Sequence, residues 1–225
     1  MGKLKIFLGR AIKGVERLLF ELFDISKACI FDAVNYFLTK DENFLKSVTL
    51  LKKQSDELNL QIMDKCLEIL ENKKPIGEDL RRTVIYIEIS SFLEHLCDLS
   101  FEICKFGTIS DKNKIEIIQN DIIWMVKRVI NMLEIDENSL KENEVESLKN
   151  DLEKMDSEIN TMFEDSKKKL INIIKEKEGE LAIEDFVKSI YVIKYIERIG
   201  NIAAKLGSRI IYVTRGKHVF VEYFY

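Results

Sequence analysis

The stretch YIERIGNIAAKLGSRIIYVTRG (residues 195–216) has an echo upstream in FLEHLCDLSFEICKFG (92–107). Each copy opens on a glutamate, Glu197 and Glu94, and four residues later come Asn201 and Asp98, an offset of 103 residues. A second pair of segments, LKKQSDELNLQIMDKCLEI (51–69) and MDSEINTMFEDSKKKLINI (155–173), repeats at almost the same spacing. Setting Lys52 on Asp156 places Asp56 on Asn160. Two matching segments at nearly one offset predict a duplicated helical unit.

The composition supports long helices throughout. One proline and nine glycines in 225 residues leave little material for turns or sheet edges, and 33 % charged with 46 % apolar residues suits amphipathic helices. The net charge of −4 arises from 35 basic and 39 acidic residues mixed along the chain. That mixture argues against a nucleic-acid partner, which needs a basic stripe to neutralise phosphates. No apolar run approaches the ~20 residues of a membrane-crossing helix, and no signal-peptide pattern opens the sequence. The expected location is the cytoplasm.

Breakers and caps divide the periodic pattern into six helices. They fall at about 5–38, 43–72, 78–106, 111–134, 140–177 and 183–216. The second ends where Lys73-Lys74-Pro75-Ile76-Gly77 resists continuation, and the turn between the fourth and fifth is assigned to Ile135-Asp136-Glu137-Asn138. The expected fold is all-α, two antiparallel three-helix bundles in tandem, residues 1–109 and 110–217, followed by an aromatic tail, 218–225.

In the last helix Val192, Ile196, Ile199, Ala203, Leu206 and Ile210 form one apolar stripe. At about 100° per residue, Glu197 and Asn201 lie nearly opposite it, close to Lys194 and Lys205. In the third helix Ile89, Leu93, Leu96 and Ile103 make the equivalent stripe, with Glu94 and Asp98 facing away and Ile87 and Phe101 toward the acidic side. Residues four apart share a helix face, so each pair is expected to present two oxygen ligands outward from the core.

No nucleophile with a histidine partner in sequence, no Glu-x-x-His di-iron motif and no glycine-rich phosphate loop is present, so a catalytic role is not expected. Cys29, Cys66, Cys97 and Cys104 form no CxxC pair and read as reduced thiols packed between helices.

Two further marks carry a family resemblance. Pro75-Ile76-Gly77-Glu78-Asp79-Leu80-Arg81 opens the third helix, with Glu94 fifteen residues after Asp79 and Asp98 four beyond that. Tyr195-Ile196-Glu197-Arg198-Ile199-Gly200 lies in the sixth, with Asn201 where an aspartate would complete the signature. Together the chain resembles the PhoU family of phosphate-uptake regulators, built from two tandem three-helix bundles. The resemblance implies metal clusters on the bundle surfaces, each held by two acidic pairs from adjacent helices. Iron, manganese, magnesium or calcium suits such all-oxygen sets.

Carried over residue by residue, the implied ligands are Asp56, Glu94 and Asp98 in the first bundle and Asp156, Asn160, Glu197 and Asn201 in the second. Lys52 stands where the first set needs an acid, and amides replace the trailing acids of the second. Each set therefore sums to a formal −2. The Lys52 ammonium can itself sit among the three acids in the electrostatic place of a metal. Arg81 and Arg198 are expected to be structural ion-pair residues.

The resemblance also implies partners: the ATPase of a high-affinity phosphate ABC transporter and a phosphate-sensing histidine kinase, with a homodimer as the expected assembly. An alternative is an interaction module that has lost its metals and serves another transporter. The basic N-terminal stretch Lys3, Lys5, Arg10, Lys13 and Arg17 reads either as the exposed start of the first helix or as a peripheral contact with an anionic membrane. The tail His218-Val219-Phe220-Val221-Glu222-Tyr223-Phe224-Tyr225 is expected to pack back on a bundle or onto a second subunit.

Overall fold

A computed structural model describes residues 2–107, 112–176 and 180–219, with side chains described over 7–107, 118–172 and 184–219. It contains α1 (Gly2–Thr39), α2 (Glu42–Lys73), α3 (Gly77–Lys105), α4 (Lys112–Glu142), α5 (Leu148–Glu176) and α6 (Glu180–Arg215), and no strand among the described residues.

Local chemistry sets most of the ends. Lys40 turns the chain at φ 65°, and the Asn43 N–H donates to Asp41 Oδ1 at 2.9 Å to cap α2. Lys74 closes α2 in the left-handed region at φ 45°, directly before Pro75. Glu78 and Asp79 then place negative charge in the first turn of α3, where the helix dipole favours it. Gly107, at φ +69°, stops α3 and returns its N–H to Cys104 O at 3.0 Å.

The turn expected at Ile135–Asn138 does not form. α4 runs through it to Glu142, and the reversal comes at Asn143, φ 58°, where Glu144 N donates to Ser139 O. The reason is packing: Val129, Leu133, Asp136 and Leu140 share one buried face, so tertiary burial overrides the local turn preference of Asp-Glu-Asn. The junction assigned to Thr108-Ile109-Ser110, and with it the 109/110 domain boundary, lies outside the described residues.

α1, α2 and α3 pack on one another, as do α4, α5 and α6, and the two bundles meet along α1–α4 and α3–α6. Leu19, Phe23, Ile62, Ile89 and Leu93 fill the first core; Ile122, Val129, Leu152, Ile159 and Ile196 fill the second. Each such burial stabilises by about 1.5–3 kcal/mol relative to exposure. The apolar core is continuous between the two bundles, and polar pairs also cross the joint. Lys27 Nζ lies 2.7 Å from Glu137 Oε2, Glu137 also pairs with Lys141, and Arg209 Nε lies 2.5 Å from Glu88 Oε2. Phe106 stacks on Tyr191 at 5.0 Å and meets Tyr195 edge-on.

All four cysteines are free and buried. At the N-terminal end Leu8 and Ile12 point into the core while Arg10, Lys13 and Arg17 are exposed; the side chains of Lys3, Lys5 and Ile6 lie outside the described residues. His218 stacks on Tyr212 at 3.9 Å and Val219 packs on the core, so the chain folds back at least to that point. The rest of the aromatic tail, 220–225, lies outside the described residues. Among the described residues no helix is long and apolar enough to cross a membrane.

Candidate cation sites in the two helix seams

The first candidate site lies in the seam between α2 and α3. Asp56 on α2 and Glu94 and Asp98 on α3 each offer an oxygen, all within 4.8 Å of one another. The register of the two helices is fixed nearby by Ser90 Oγ, which donates to Asn59 Oδ1 across the seam at 2.8 Å. The α2 position four residues before Asp56 delivers Lys52 into the same cluster. Its Nζ lies 3.1 and 3.0 Å from the two Asp56 oxygens and 2.8 Å from Asp98 Oδ1. The ammonium thus chelates the Asp56 carboxylate and pairs with Asp98 across the seam.

The charges shift one another. Burial, then the charges of Asp98 and Asp56, push the Glu94 carboxyl up to about 7 against the pull of Lys52, helped by a hydrogen bond with Asp56. Burial opposes the Lys52 charge, but the hydrogen bonds and charges of Asp98 and Asp56 outweigh it and raise its pKa. Lys52 is therefore a fixed cation, its side chain 28 % exposed.

The second site lies between α5 and α6, and here the structure corrects the sequence reading. Glu197 and Asp156 do not face outward; they are 4 % and 1 % exposed. The cause is that α6 packs against α3, α4 and α5 at once, so more than one stripe of it is covered. Two glycines bring α5 close. A Cβ on Gly200 would stand 3.2 Å from Ile159 Cδ1, and one on Gly207 would stand 2.0 Å from Leu152 Cδ1 and 2.8 Å from Asp136 Oδ1. With no side chain there, α5 residues rest on the α6 backbone, and Asp156 is drawn against Glu197.

Within this seam each amide serves its own helix. Asn160 Nδ2 donates to Asp156 Oδ2 at 3.0 Å and Asn201 Nδ2 to Glu197 Oε1 at 2.9 Å. Lys194 Nζ pairs with Glu197 Oε2 at 2.6 Å from a half-exposed rim position, where it also lies over the Phe163 ring. Asp156 Oδ1 and Asn201 Oδ1 are buried with no hydrogen-bond partner among the described residues. Burial pushes the Asp156 carboxyl up to about 6, against the Asn160 hydrogen bond and with the Glu197 charge adding to the rise. An open groove of about 530 Å³, lined by Asn160, Phe163, Lys194 and Glu197, leads to the seam.

The two seams therefore differ in their fit to the implied metal. In the second, unsatisfied carboxylate and amide oxygens are a hard-cation donor set. Asp156, Asn160, Glu197 and Asn201 are the residues that would hold one ion. In the first, the ammonium already fills the cluster. A divalent ion about 4 Å from it would meet roughly 4 kcal/mol of repulsion per unit of its charge at an effective dielectric of ~20. The first set does not fit a metal while Lys52 is in place.

Among the described residues neither signature arginine forms the expected ion pair. Arg81 Nε donates to Val213 O at 3.1 Å near the end of α6, packs against Gly216 and lies over Tyr212. Arg198 lies over the Tyr195 ring at 5.3 Å. Ile87 and Phe101 are both half-buried against the core. One charged residue was missed altogether. Asp136, placed by sequence in a turn, is fully buried, and neither of its oxygens has a hydrogen-bond partner among the described residues. Its register with Val129, Leu133 and Leu140 was the available signal.

The PhoU domain family's sequence pattern matches the chain twice, at residues 19–106 and 122–210. The chain is 28 % identical over 203 residues to the phosphate-specific transport system accessory protein PhoU homolog 1 of Thermotoga maritima, covering 88 % of this chain and 84 % of that protein. It is 24 % identical over 191 residues to the PhoU homolog of Clostridium acetobutylicum, covering 84 % and 86 %. The crystal structure of the phosphate transport system regulatory protein PhoU from Streptococcus pneumoniae superposes with a TM-score of 0.80 at 18 % identity, over 95 % of this chain and 99 % of that one. Two domain matches that fall on the two bundles, each spanning one acidic seam, establish that this chain belongs to the PhoU family.

Proposed function

We propose that this chain is a non-enzymatic regulator of phosphate uptake and of phosphate-starvation signalling. It acts by docking on a phosphate ABC transporter, at or near its ATPase, and on a phosphate-sensing histidine kinase. The observation that carries this reading is the pair of PhoU domains at residues 19–106 and 122–210, in a chain aligned over 84–88 % of its length with relatives named as phosphate-specific transport system accessory proteins. In this reading the chain relays transport state by contact, works in the cytoplasm as a homodimer, and holds a single hard cation at Asp156, Asn160, Glu197 and Asn201.

The test is co-purification. Tagged protein expressed from its own genome is expected to retain the phosphate transporter's ATPase on an affinity column, and its deletion is expected to release phosphate-starvation genes from control by external phosphate. Absence of both effects would sink the reading. A second reading is favoured by Lys52: a PhoU-like interaction module without metal clusters that serves another transporter. Recovery of a different transporter's subunits on the same column would select it.

A further inference from the structure

We propose that Lys52 is the resident cation of the first bundle, an ammonium supplied by the chain in the place of a metal ion, so that response to divalent cations is confined to the second bundle. Three observations carry this. The first is occupancy: Nζ lies 3.1 and 3.0 Å from the two oxygens of Asp56 and 2.8 Å from Asp98 Oδ1, so the ammonium stands in the midst of the cluster. These are oxygens that a metal would need.

The second is anchoring. Lys52 and Asp56 stand four apart on one helix face, while Asp98 comes from α3, so the ammonium ties α2 to α3 as a bridging ion would. Ser55, fully buried behind it, donates its Oγ to Lys52 O at 2.7 Å, so the backbone that carries the lysine belongs to the packed seam.

The third is the contrast with the equivalent place in the second bundle. There the residue is Asp156, buried and with one oxygen unpartnered among the described residues. A lysine at that seam, Lys194, approaches from the exposed rim and pairs, among the described residues, with one glutamate oxygen. The same register position thus carries a cation in one bundle and a cation ligand in the other.

The proposal stands apart from the choice of transporter, because it concerns metal occupancy alone. Its test is a Mn²⁺ titration of chelator-treated full-length protein, read by electron paramagnetic resonance and equilibrium dialysis. Wild type is expected to bind at most one Mn²⁺, lost in Asp156→Asn/Glu197→Gln and unchanged in Asp98→Asn. Lys52→Glu is expected to gain one further Mn²⁺, and adding Asp98→Asn is expected to remove it. Lys52→Gln, which keeps the stem and removes the charge, covers the case in which the glutamate variant fails to fold. It is expected to bind Mn²⁺ at Asp56, Glu94 and Asp98 at least tenfold more tightly than wild type does.

Two results would overturn the proposal. One is a Mn²⁺ equivalent in wild type that Asp98→Asn abolishes and Asp156→Asn/Glu197→Gln spares, since the lysine would then have swung aside for the metal. The other is a cooperatively folded Lys52→Glu or Lys52→Gln protein with no gain in binding. Phosphate control in cells reads the docking function separately, so a failed metal count leaves that reading intact.

Discussion

Lys52 and Asp156 hold the same place in two copies of one bundle and carry opposite charge. The first seam is half-open and satisfied within itself: an ammonium among three carboxylates, one of them pushed toward neutrality. The second is buried, its amides turned onto their own helices, with two oxygens left without partners among the described residues. A duplicated scaffold thus preserves the position of a site while its chemistry diverges. The backbone follows the same division. The positions 103 residues before Gly200 and Gly207 are Cys97 and Cys104, so the second seam closes on bare backbone where the first keeps a side chain.

The largest expected effect comes from Asp136, whose counterpart 103 residues earlier is Ala33. Burial raises the Asp136 carboxyl well above its ordinary range. The folded state therefore keeps a proton that the unfolded chain gives up above about pH 4. The stability this withdraws is absent below that pH and grows as pH rises toward the folded value. Asp136→Asn is expected to match wild type near pH 4 and to exceed it at pH 8 by about 2–3 kcal/mol, the scale of a buried unpaired group. Equal urea denaturation midpoints at pH 8 would show that the carboxyl has a partner.

Next is the close approach of α5 to α6. Gly207→Ala is expected to cost about 1–3 kcal/mol by overpacking against Leu152 and Asp136, whereas Cys104→Ala only trims a side chain. Thermal unfolding that ranks the two the other way would refute the account of why the second seam is buried.

Removing the ammonium is expected to cost less. Losing one member of a buried ion cluster costs ~3–5 kcal/mol, discounted here to about 1–2 because the first seam is half-exposed and screened. Lys52→Met should show this loss at pH 8 and recover much of it by pH 6, as Glu94 takes a proton and the acid-acid repulsion falls. Lys194→Met, on the exposed rim, should change stability by no more than about 0.5 kcal/mol. Equal losses at both lysines would erase the distinction between an internal cation and a surface one.

Much of this was legible in the sequence because it is written locally. Pro75, Gly77 and Gly107 act through nearest turns, and with the repeat at offset 103 they marked six helices in two bundles, whereas the candidate ligands were implied by the family resemblance. What failed was burial. A helical wheel treats α6 as having one covered face, but three helices cover it, so Glu197 passed for a surface residue. Asp136 failed for the same reason: its acid-rich neighbourhood looks like a turn, and only the core around Leu133 and Leu140 keeps it helical.

The ion pairs that cross between the bundles differ in their exposure, and so in their response to salt. Among the described residues, Lys27–Glu137 on the α1–α4 side is shielded, with 18 % and 6 % of the side chains exposed, while Arg209–Glu88 on the α3–α6 side is about 40 % open to solvent. Dissolved salt screens exposed pairs far more than shielded ones. Rising ionic strength is therefore expected to weaken Arg209–Glu88 well before Lys27–Glu137, while the stack of Phe106 on Tyr191 keeps the α3–α6 edge in contact.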